Sequence, residues 1–559
     1  MRRSITYIIL AGWLTTIHLQ AQTSLLGDRL RDTFSPSEKR YDTQSMDMET
    51  RKLRQTYANP AFYDIARSDS SFQTGCYRSM ISASYSNGRV EGDFLPYEGN
   101  AFTDFRLTGF GQYSIPSAGT LFGKVQYARG RHKNIGWNAM RHPELYLPYI
   151  ATDSIGGDFH FEDYHVEGGY AFSLGNWHLG ATGFFRGEQA YRKTDPRALN
   201  NTTWLNVGIG AARSFGGHLL MLNGSFGRNK QHMSLRFWRP GEQQRFFICY
   251  GFGLYDHRAS SIRFGYSRMY YIKEGSARLT YQSPSRQHPF VVYASIGYEY
   301  DRMKAEESNV QDLYFSRTNT FSPTLRLDWQ PGGAWDVSFL LESRLDRRKG
   351  YENIFEEYLI DEANNIYDFR LIDTQQKYLY SYSESMAQLR LRYRPLPGQV
   401  LSLQTGASYF LRKEEYRGTD YRVKNSAILP QARIGYLLEK KRSEWEWNVQ
   451  YGKRIGTGNT YQVVMQNQSI PHLDFQQTFA PYAYYDCDYS SLLIAATYVC
   501  RFKRFGIGVN LKLMYTSGER DKEAVYAGQV GFASSAPMIA SSSARHDEWW
   551  GSSSLFFVF

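Results

Sequence analysis

The sequence predicts an all-β protein, a transmembrane antiparallel β-barrel, from three observations. Apolar and polar residues alternate strictly over successive segments, which places one side of each strand in lipid and the other in water. Short turns rich in Gly and Pro alternate with long polar stretches, as expected of the two ends of such a barrel. The chain also ends in an alternating apolar strand whose last residue is Phe559.

The alternation is clearest in the C-terminal half. Apolar residues occupy every second position from Phe505 to Tyr515, with Gly506, Gly508, Asn510 and Lys512 between them. The segment 387–394 alternates in the same way, with Gln and Arg at every second position. A helix would scatter these charges around its circumference, whereas a strand collects them on one face.

Eight short links are predicted to be periplasmic turns: Pro116 to Gly119, Gly175-Asn176, Gly216-Gly217, Ser283 to Pro289, Pro331 to Gly333, Pro395 to Gly398, Lys440 to Ser443, and Lys503-Arg504. Longer polar stretches at 87–101, 131–158, 189–202, 230–245, 304–316, 347–375, 414–423, 457–484 and 518–542 are predicted to be extracellular loops. Counting strands from about 77–86 to 548–559 gives about 20, within a range of about 18 to 22. The pairing of residues 246–282 stays ambiguous.

Three segments are expected along the chain. Residues 1–21 have the charged start, apolar stretch and small residue of a signal peptide. Residues 22–75 are charged and are expected to lie in the periplasm or in the barrel lumen. Residues 76–559 form the predicted barrel.

Composition excludes several classes of protein. The net charge is +11, but the cations are scattered along predicted strands rather than clustered, so nucleic acid is not an expected partner. The mean hydropathy is −0.52, yet 16% of the residues are aromatic, as in barrels with aromatic girdles. The four Cys have no metal or redox spacing, and no cofactor is expected.

Charged residues at the polar positions of the strands are predicted to face the lumen. A charge facing lipid at mid-membrane costs roughly 2–4 kcal/mol. The lumen-facing candidates are Arg106, Lys124, Arg326, Asp328, Asp336, Glu342, Arg390, Arg392, Arg412 and Lys512. Their excess of cations predicts an anion-favouring interior if the lumen is open. Alternatively, the carboxylates neutralise the cations and help to close the bore.

Two segments resemble known families. The last strand, with Leu555, Phe557 and Phe559 on one face, resembles the terminal signal read by the outer-membrane barrel-assembly machinery, which implies that this machinery is a partner. Asn59-Pro60-Ala61 is similar to the N-terminal motif of fatty-acid-transporter-type barrels. The whole arrangement resembles a Bacteroidetes family of outer-membrane barrels of unknown function, DUF6850, and this resemblance implies no activity.

Sequence features that suggest chemistry have simpler structural interpretations. Residues 84–89, Ser-Tyr-Ser-Asn-Gly-Arg, are similar to part of an outer-membrane phospholipase motif, but Ser84 stands where that family has its His. Without the base the hydroxyl is a poor nucleophile, so Asn87-Gly88 is predicted to be a turn. Asp158, His160 and Glu162 share one strand face and could bind a metal, although a solvated strand entrance is the expected interpretation. The acidic stretch 347–375 is expected to be a solvated loop.

The sequence therefore favours a passive pore or transport barrel for small or amphipathic solutes in the cell outer membrane. The alternative is a plugged structural barrel whose loops bind a surface or periplasmic protein. Outer-membrane lipid and lipopolysaccharide are expected partners in both cases. No enzymatic activity is expected.

Overall fold

The computed structural model describes residues 48–68 and 79–559, with internal gaps. The gaps are 93, 95, 116–117, 154, 239–245, 253, 257–264, 285–288, 308–311, 362, 364–365, 419–420, 463–487 and 521–543. The predicted signal peptide, Cys76, Cys487 and most of the stretches 457–484 and 518–542 lie outside the described residues. Among the residues that are described, no helix is long and apolar enough to cross a membrane.

Strands dominate the described chain, and three short helices accompany them. The helices are α1 (Met48–Tyr57), α2 (Phe62–Ser68) and α3 (Pro143–Tyr146). The strands are β1 (Ser79–Gly92), β2 (Ala101–Ile115), β3 (Gly119–Ile135), β4 (Ile150–Asp153), β5 (Gly157–Leu174), β6 (Trp177–Arg192), β7 (Arg197–Phe215), β8 (His218–Arg236), β9 (Phe246–Gly251), β10 (Leu254–Asp256), β11 (Gly265–Gln282), β12 (Phe290–Glu307), β13 (Asp312–Trp329), β14 (Trp335–Asp361), β15 (Ile366–Tyr393), β16 (Gln399–Tyr416), β17 (Tyr421–Lys440), β18 (Ser443–Gln462), β19 (Asp488–Arg501), β20 (Gly506–Arg520) and β21 (Ala544–Val558).

Eighteen of these strands form one closed antiparallel barrel. Each pairs with its neighbours in chain order, and β1 closes the ring by pairing with both β2 and β21. Along each strand, exposed apolar side chains alternate with buried ones. Ile296 and Leu279 are 53% and 48% exposed, so the outer face is an apolar band of the kind that contacts lipid. The predicted fold class is confirmed.

The strand count shows where the sequence was ambiguous. The barrel has 18 strands, which lies within the predicted range but is two fewer than the preferred count. The difference arises within 246–282, where only β11 joins the barrel. The short strands β9 and β10 form a separate three-stranded sheet with β4. All eight short links predicted as turns fall between paired barrel strands.

The prediction of a loop at 347–375 was wrong. Here β14 and β15 continue as a paired hairpin to Asp361 and Ile366. Beyond the membrane both faces of a strand meet water, so strict alternation stops although the hydrogen-bonded ladder continues. The pattern therefore marks the membrane-embedded part of a strand and not its full length.

Asn87-Gly88 is not a turn, contrary to the prediction. Both residues lie inside β1, where they pair with Thr103 and Phe102 of β2. A Cβ at Gly88 would overlap the Phe102 ring, so this Gly makes room for a buried aromatic side chain. Ser86 donates a hydrogen bond to the Ser552 hydroxyl at 3.1 Å, which joins β1 to β21.

Candidate functional site: the lumen and its two inserts

The ten charged residues singled out from the sequence all lie on the inner face of the barrel wall. Along each strand, they alternate with the exposed apolar residues and therefore point to the opposite face. Lys124 and Arg326 are each 2% exposed, and Arg390 and Arg392 are 6% and 8% exposed. The residues belong to seven strands, so the structure does not bring them into a single cluster; they are Arg106 on β2, Lys124 on β3, Arg326 and Asp328 on β13, Asp336 and Glu342 on β14, Arg390 and Arg392 on β15, Arg412 on β16, and Lys512 on β20.

Ion pairs along the wall join several of these charges to neighbouring side chains. Arg326 binds Asp328 at 2.8 Å on the same strand, and Asp336 pairs with Arg394, which directly follows β15. Two further pairs, each within one strand, join Arg106 to Asp104 at 2.7 Å and Arg412 to Glu414. Much of the inner charge is therefore neutralised locally, which favours the interpretation of a closed bore.

An insert formed by residues 48–68 lies in the lumen near the end of the barrel that carries the short turns. We call it the inner insert; it comprises α1, α2 and the Asn59-Pro60-Ala61 segment between them. The Asn59 side chain donates hydrogen bonds to the carbonyl oxygens of Ala211 and Leu222, at 3.3 and 3.2 Å. It also accepts one from the Ala61 backbone N–H at 3.0 Å. This side chain therefore fixes the turn and attaches it to β7 and β8.

Two glycines on the inner wall make room for this turn. A Cβ at Gly210 would overlap Asn59 Oδ1, and one at Gly180 would lie 2.5 Å from the carbonyl carbon of Pro60. Real Cβ atoms do not approach other heavy atoms so closely. The backbone of the inner insert can therefore touch the wall only because β6 and β7 carry Gly at these positions.

The α2 end of the inner insert is attached by a buried acid and by aromatic packing. Asp64 is fully buried; it accepts a hydrogen bond from Ser173 and lies 2.7 Å from His178 Nδ1. The Tyr63 ring stacks on Phe122 of β3, with 3.7 Å between ring centroids. These contacts join α2 to β3, β5 and β6.

The α1 end reaches the opposite group of strands. Arg51 forms a 3.2 Å ion pair with Glu342 of β14, and Gln55 donates a 3.0 Å hydrogen bond to Thr324 of β13. Met48 packs with Leu340 and Met386. The lumen-facing candidate Glu342 thus holds the inner insert as well as contributing charge to the wall.

A second insert lies in the lumen toward the end with the long links. We call it the outer insert; it comprises residues 136–156, with α3 and β4, and the strands β9 and β10 that pair with β4 or with each other. Glu188 on β6 accepts a hydrogen bond from Arg141 at 2.6 Å and lies 2.5 Å from His142. Arg192 and Asp153 form a 2.7 Å ion pair in which both side chains are fully buried. The stretch predicted as an external loop at 131–158 therefore turns inward.

Tyrosines attach the outer insert to the far wall. The Tyr146 hydroxyl donates to Asn229 at 3.0 Å, and the Tyr149 ring stacks on Tyr314 at 4.8 Å between centroids. A Cβ at Gly350 would lie 2.6 Å from the Tyr149 oxygen, so Gly again allows the close approach. Burial raises the pKa of Tyr149 well above its usual value, and this side chain stays neutral at physiological pH.

A polar compartment separates the two inserts along β7. On this strand, Asn200 contacts the outer insert and Gly210 contacts the inner insert. Between them, Trp204 and Asn206 both donate hydrogen bonds to one carboxylate oxygen of Glu274, each at 2.9 Å. A cavity of about 80 Å³ lies beside these three side chains, and Ala58 of the inner insert also lines it.

The candidate metal-binding residues engage other partners. Asp158 accepts a 2.9 Å hydrogen bond from the Asn134 backbone and pairs with Arg131. His160 stacks on Tyr191 with 5.5 Å between centroids, and Glu162 lies 3.5 Å from Arg129. Across the residues that the structure describes, no group of three His, Cys, Asp or Glu side chains could hold a metal.

The sequence did not settle the position of either insert: residues 22–75 were expected in the periplasm or in the lumen, and 131–158 was predicted to be an external loop. Their contacts depend on residues far apart in the chain, such as Asn59 with Leu222 and Tyr149 with Tyr314. One available signal is Gly at inward strand positions, including Gly180, Gly210 and Gly350, where a barrel wall without an insert would have no need of it.

Solved structures of outer-membrane receptors and transporters are similar in fold to this chain. The siderophore receptor PirA from Acinetobacter baumannii is 7% identical, with 86% of this chain and 81% of that chain covered and a TM-score of 0.39. The ferric citrate transporter FecA in its unliganded form is 10% identical, with 86% and 79% covered and a TM-score of 0.38. A search of curated proteins by sequence found no significant match.

A family model provides the assignment. It matches residues 72–534, which is most of the chain, and its description is "Family of unknown function (DUF6850)". The matched region contains the barrel strands from β1 to β20, so the family resemblance and the barrel coincide. The chain is therefore an outer-membrane β-barrel that belongs to the DUF6850 family of unknown function.

Proposed function

We propose that this protein is an outer-membrane transport barrel whose lumen is closed by the inner and outer inserts, so that a solute passes only when an insert moves. The size of the barrel supports this proposal. It has 18 strands, and barrels of about 16–18 strands enclose enough space for an aqueous channel. Smaller barrels are filled by their own side chains and need no inserted segments.

The observation that carries the proposal is a polar strip on the inner face of β15 to β18. Gln388 and Gln404 are hydrogen-bonded at 3.0 Å, and Gln431 and Gln450 at 3.1 Å. Arg390 lies beside the first pair and donates a 3.0 Å hydrogen bond to Ser338. Amide and guanidinium groups suit the passage of small polar solutes, because they replace hydrogen bonds that the solute makes with water.

A reversible crosslink tests whether the inner insert gates the lumen. Asp64→Cys with Ser173→Cys places two thiols where a hydrogen bond now joins α2 to β5, close enough for a disulfide. The native cysteines are replaced by Ser. In planar bilayers we expect low conductance when the pair is oxidised and higher conductance after reduction, because only the reduced insert can leave the wall.

A matched crosslink on the wall serves as the control. Ser343 and Ser385 lie 2.9 Å apart, oxygen to oxygen, on the exposed faces of β14 and β15. Ser343→Cys with Ser385→Cys should leave the conductance equal in both redox states. If the Asp64–Ser173 variant conducts equally in both redox states, or in neither, gating by the inner insert is rejected.

One further observation favours a second function, the binding of a surface partner. The extended hairpin of β14 and β15 exposes apolar residues on both faces: Leu359, Ile360, Leu371 and Ile372 are 42%, 58%, 51% and 56% exposed. Exposed apolar patches often mark interaction sites. A photo-crosslinking residue at Leu371 should then trap one defined partner on intact cells, whereas the same residue at Tyr113, near a short turn, should not.

A further inference from the structure

Five adjacent strands place a cation at the same level on the outer face of the barrel. Lys273 of β11 is the register partner of both Arg228 on β8 and Arg302 on β12. Arg302 is the partner of Arg317 on β13, which in turn is the partner of Lys349 on β14. All five side chains are exposed, on the parity of the lipid-facing residues. We call this set the cation row.

The cation row has no neutralising acids among the described residues. None of its five members forms an ion pair there within 4.0 Å. Several other outward cations of the described barrel do: Arg89 pairs with Glu91 at 3.4 Å, Arg129 with Glu162 at 3.5 Å, and Arg131 with Asp158. The unneutralised row therefore differs from other parts of the described wall.

Such an arrangement is unfavourable without an anion. Like charges directly opposite each other on neighbouring strands destabilise a sheet. Strands lie about 4.7–4.9 Å apart, so the row brings five positive charges within roughly 20 Å of one another. An anionic ligand with more than one charged group, lying along the row, would remove this repulsion.

The position of the cation row along the membrane normal identifies the environment of that ligand. On β12 the outward residues from Phe290 to Tyr300 are predominantly apolar. These ten steps span about 25 Å along the membrane normal, given about 3.4 Å per residue and a tilt of about 40°. That is the height of the apolar band of an outer-membrane barrel. Arg302, two residues further toward the long links, lies at the level of the outer-leaflet headgroups.

Aromatic rings hold the cations at this level. Arg228 lies over Tyr271 at 5.4 Å, Arg302 over Phe315 at 5.5 Å, and Arg317 over Phe315 at 5.7 Å, each from Cζ to the ring centroid. Such contacts stabilise a guanidinium next to an aromatic face. They also fix it in the interfacial girdle, where aromatic residues of barrels are concentrated.

The wall below the row is indented. The outward residues that follow Lys273 on β11 are Gly275 and Ala277. Gly275 is the register partner of Phe226 on β8 and of Tyr300 on β12. Ala277 is the register partner of Tyr298 on β12. Small residues between large aromatic ones leave a groove in the apolar face, directly beneath the cations.

We propose that the cation row binds the phosphate groups of lipopolysaccharide in the outer leaflet. The phosphates lie along Lys273, Arg302 and Arg317, and the acyl chains lie against the apolar band, with one in the groove at Gly275 and Ala277. The positive charge of the row, its position at the outer-leaflet headgroups and the apolar groove beside it all suit a phosphorylated, acylated lipid better than a free anion. Arg and Lys suit this ligand because guanidinium and ammonium groups form strong charge-assisted hydrogen bonds with phosphate.

Charge reversal tests the site on the purified, detergent-solubilised full chain. The variant is Lys273→Glu with Arg302→Glu and Arg317→Glu, and the titrant is lipopolysaccharide. We expect the affinity to fall by about tenfold or more. The matched control reverses three outward cations on β3: Arg129→Glu, Arg131→Glu and Lys133→Glu. It carries the same charge change and should bind within about twofold of the unaltered protein.

Two further binding measurements distinguish lipid-borne phosphate from free phosphate. Dephosphorylated lipopolysaccharide should bind the unaltered protein weakly, and inorganic phosphate at millimolar concentration should not compete with the lipid. Equal binding of the dephosphorylated lipid, or full competition by inorganic phosphate, would overturn the proposal. Unchanged binding by the row variant, or equal loss in the control, would do the same. If the Glu variant does not fold, the triple Gln variant replaces it.

Discussion

At the scale of single residues, the inner insert depends on a wall position that lacks a side chain. The Asn59-Pro60-Ala61 segment is visible in the sequence, but nothing there indicates that Gly210 and Gly180 receive it. The chain has 48 Gly, and most of their positions suit turns or strands equally well. Only the close approach of the Asn59 side chain to β7 shows what Gly210 does.

Replacing Gly210 by Val should release the inner insert while leaving the barrel intact. The added Cβ would overlap Asn59 Oδ1, and the two hydrogen bonds from Asn59 to β7 and β8 would be lost. We expect faster proteolysis within residues 48–68 and a higher conductance, with the same heat-modifiable migration in gels.

Gly183→Val is the control for this change. A Cβ at Gly183 on β6 would have no atom within 4 Å, so the substitution should affect neither proteolysis nor conductance. Equal proteolysis of the Gly210 variant and the unaltered protein would show that the glycine is not needed to seat the insert.

The outer insert offers a second test at the residue scale. Glu188 is buried between Arg141, His142 and Arg186. Glu188→Gln removes the counter-charge of the buried Arg141 and leaves Arg186 with Asp163 alone, which costs roughly 3 kcal/mol or more for a buried pair. We expect the outer insert to loosen and Cys249 on β9 to become reactive toward alkylating reagents.

The reactivity of Cys249 follows from its environment. Burial raises the pKa of its thiol to about 12, so the thiol stays protonated and unreactive at pH 7 to 9. An exposed thiol has a pKa of about 8.5 and reacts in this range. The measurement uses a background with Ser at the other three cysteines. Glu357→Gln, on the exposed hairpin, should leave alkylation slow, and equally slow alkylation in the Glu188 variant would contradict the prediction.

At the scale of elements, the short turns were easier to predict than the long links. Turns such as Gly175-Asn176 and Gly216-Gly217 need positive φ angles, at Gly175 and at both Gly216 and Gly217, and this local requirement leaves a sequence signal. The long links have no such requirement. Whether 136–156 turns inward or outward depends on Glu188, Asn229 and other distant partners, which the local sequence does not contain.

The hairpin of β14 and β15 gives a test of topology. Its strands have 27 and 28 residues, so they extend well beyond the apolar band on the side of the long links. An epitope inserted after Asp361 should be labelled by antibody on intact cells, because this end faces outward. An epitope between Pro331 and Gly333 should be labelled only after permeabilisation, and the reverse pattern would contradict the assigned orientation.

At the scale of the whole molecule, the last strand completes the barrel. Phe557 is the register partner of both Ile81 on β1 and Ile507 on β20. If the terminal strand is also the assembly signal, Phe559→Asp should leave the protein in the periplasm, where it is degraded. Fractionation and heat-modifiable migration measure this outcome.

Leu396→Asp is the control for assembly. Leu396 is an apolar residue in the link between β15 and β16 and is 59% exposed, so a charge there should not prevent insertion. Normal outer-membrane barrel from the Phe559 variant would show that the terminal residue is dispensable for recognition.

Ion selectivity is also a property of the whole lumen. The lumen-facing candidates include more cations than acids. Asp328 pairs with Arg326 and Asp336 with Arg394, and both of these cations stay on the wall when the inner insert leaves. We therefore expect the lumen, once the inner insert is released by Gly210→Val, to favour anions. Reversal potentials under a salt gradient measure the preference, and Arg390→Glu with Arg392→Glu should shift it toward cations. Cation preference before that change would contradict the prediction.

The path of the inner insert has a mechanical consequence. Successive contacts along residues 48–64 lead from β14 and β15 through β13, β8 and β7 to β5 and β3. A hydrogen-bonded ring of strands resists stretching within the sheet but bends easily into an oval. A segment bonded to both sides of the ring limits how far the two sides can separate. Detachment of the insert would then alter the cross-section of the entire barrel, so an event at the periplasmic rim would be transmitted to the cell surface.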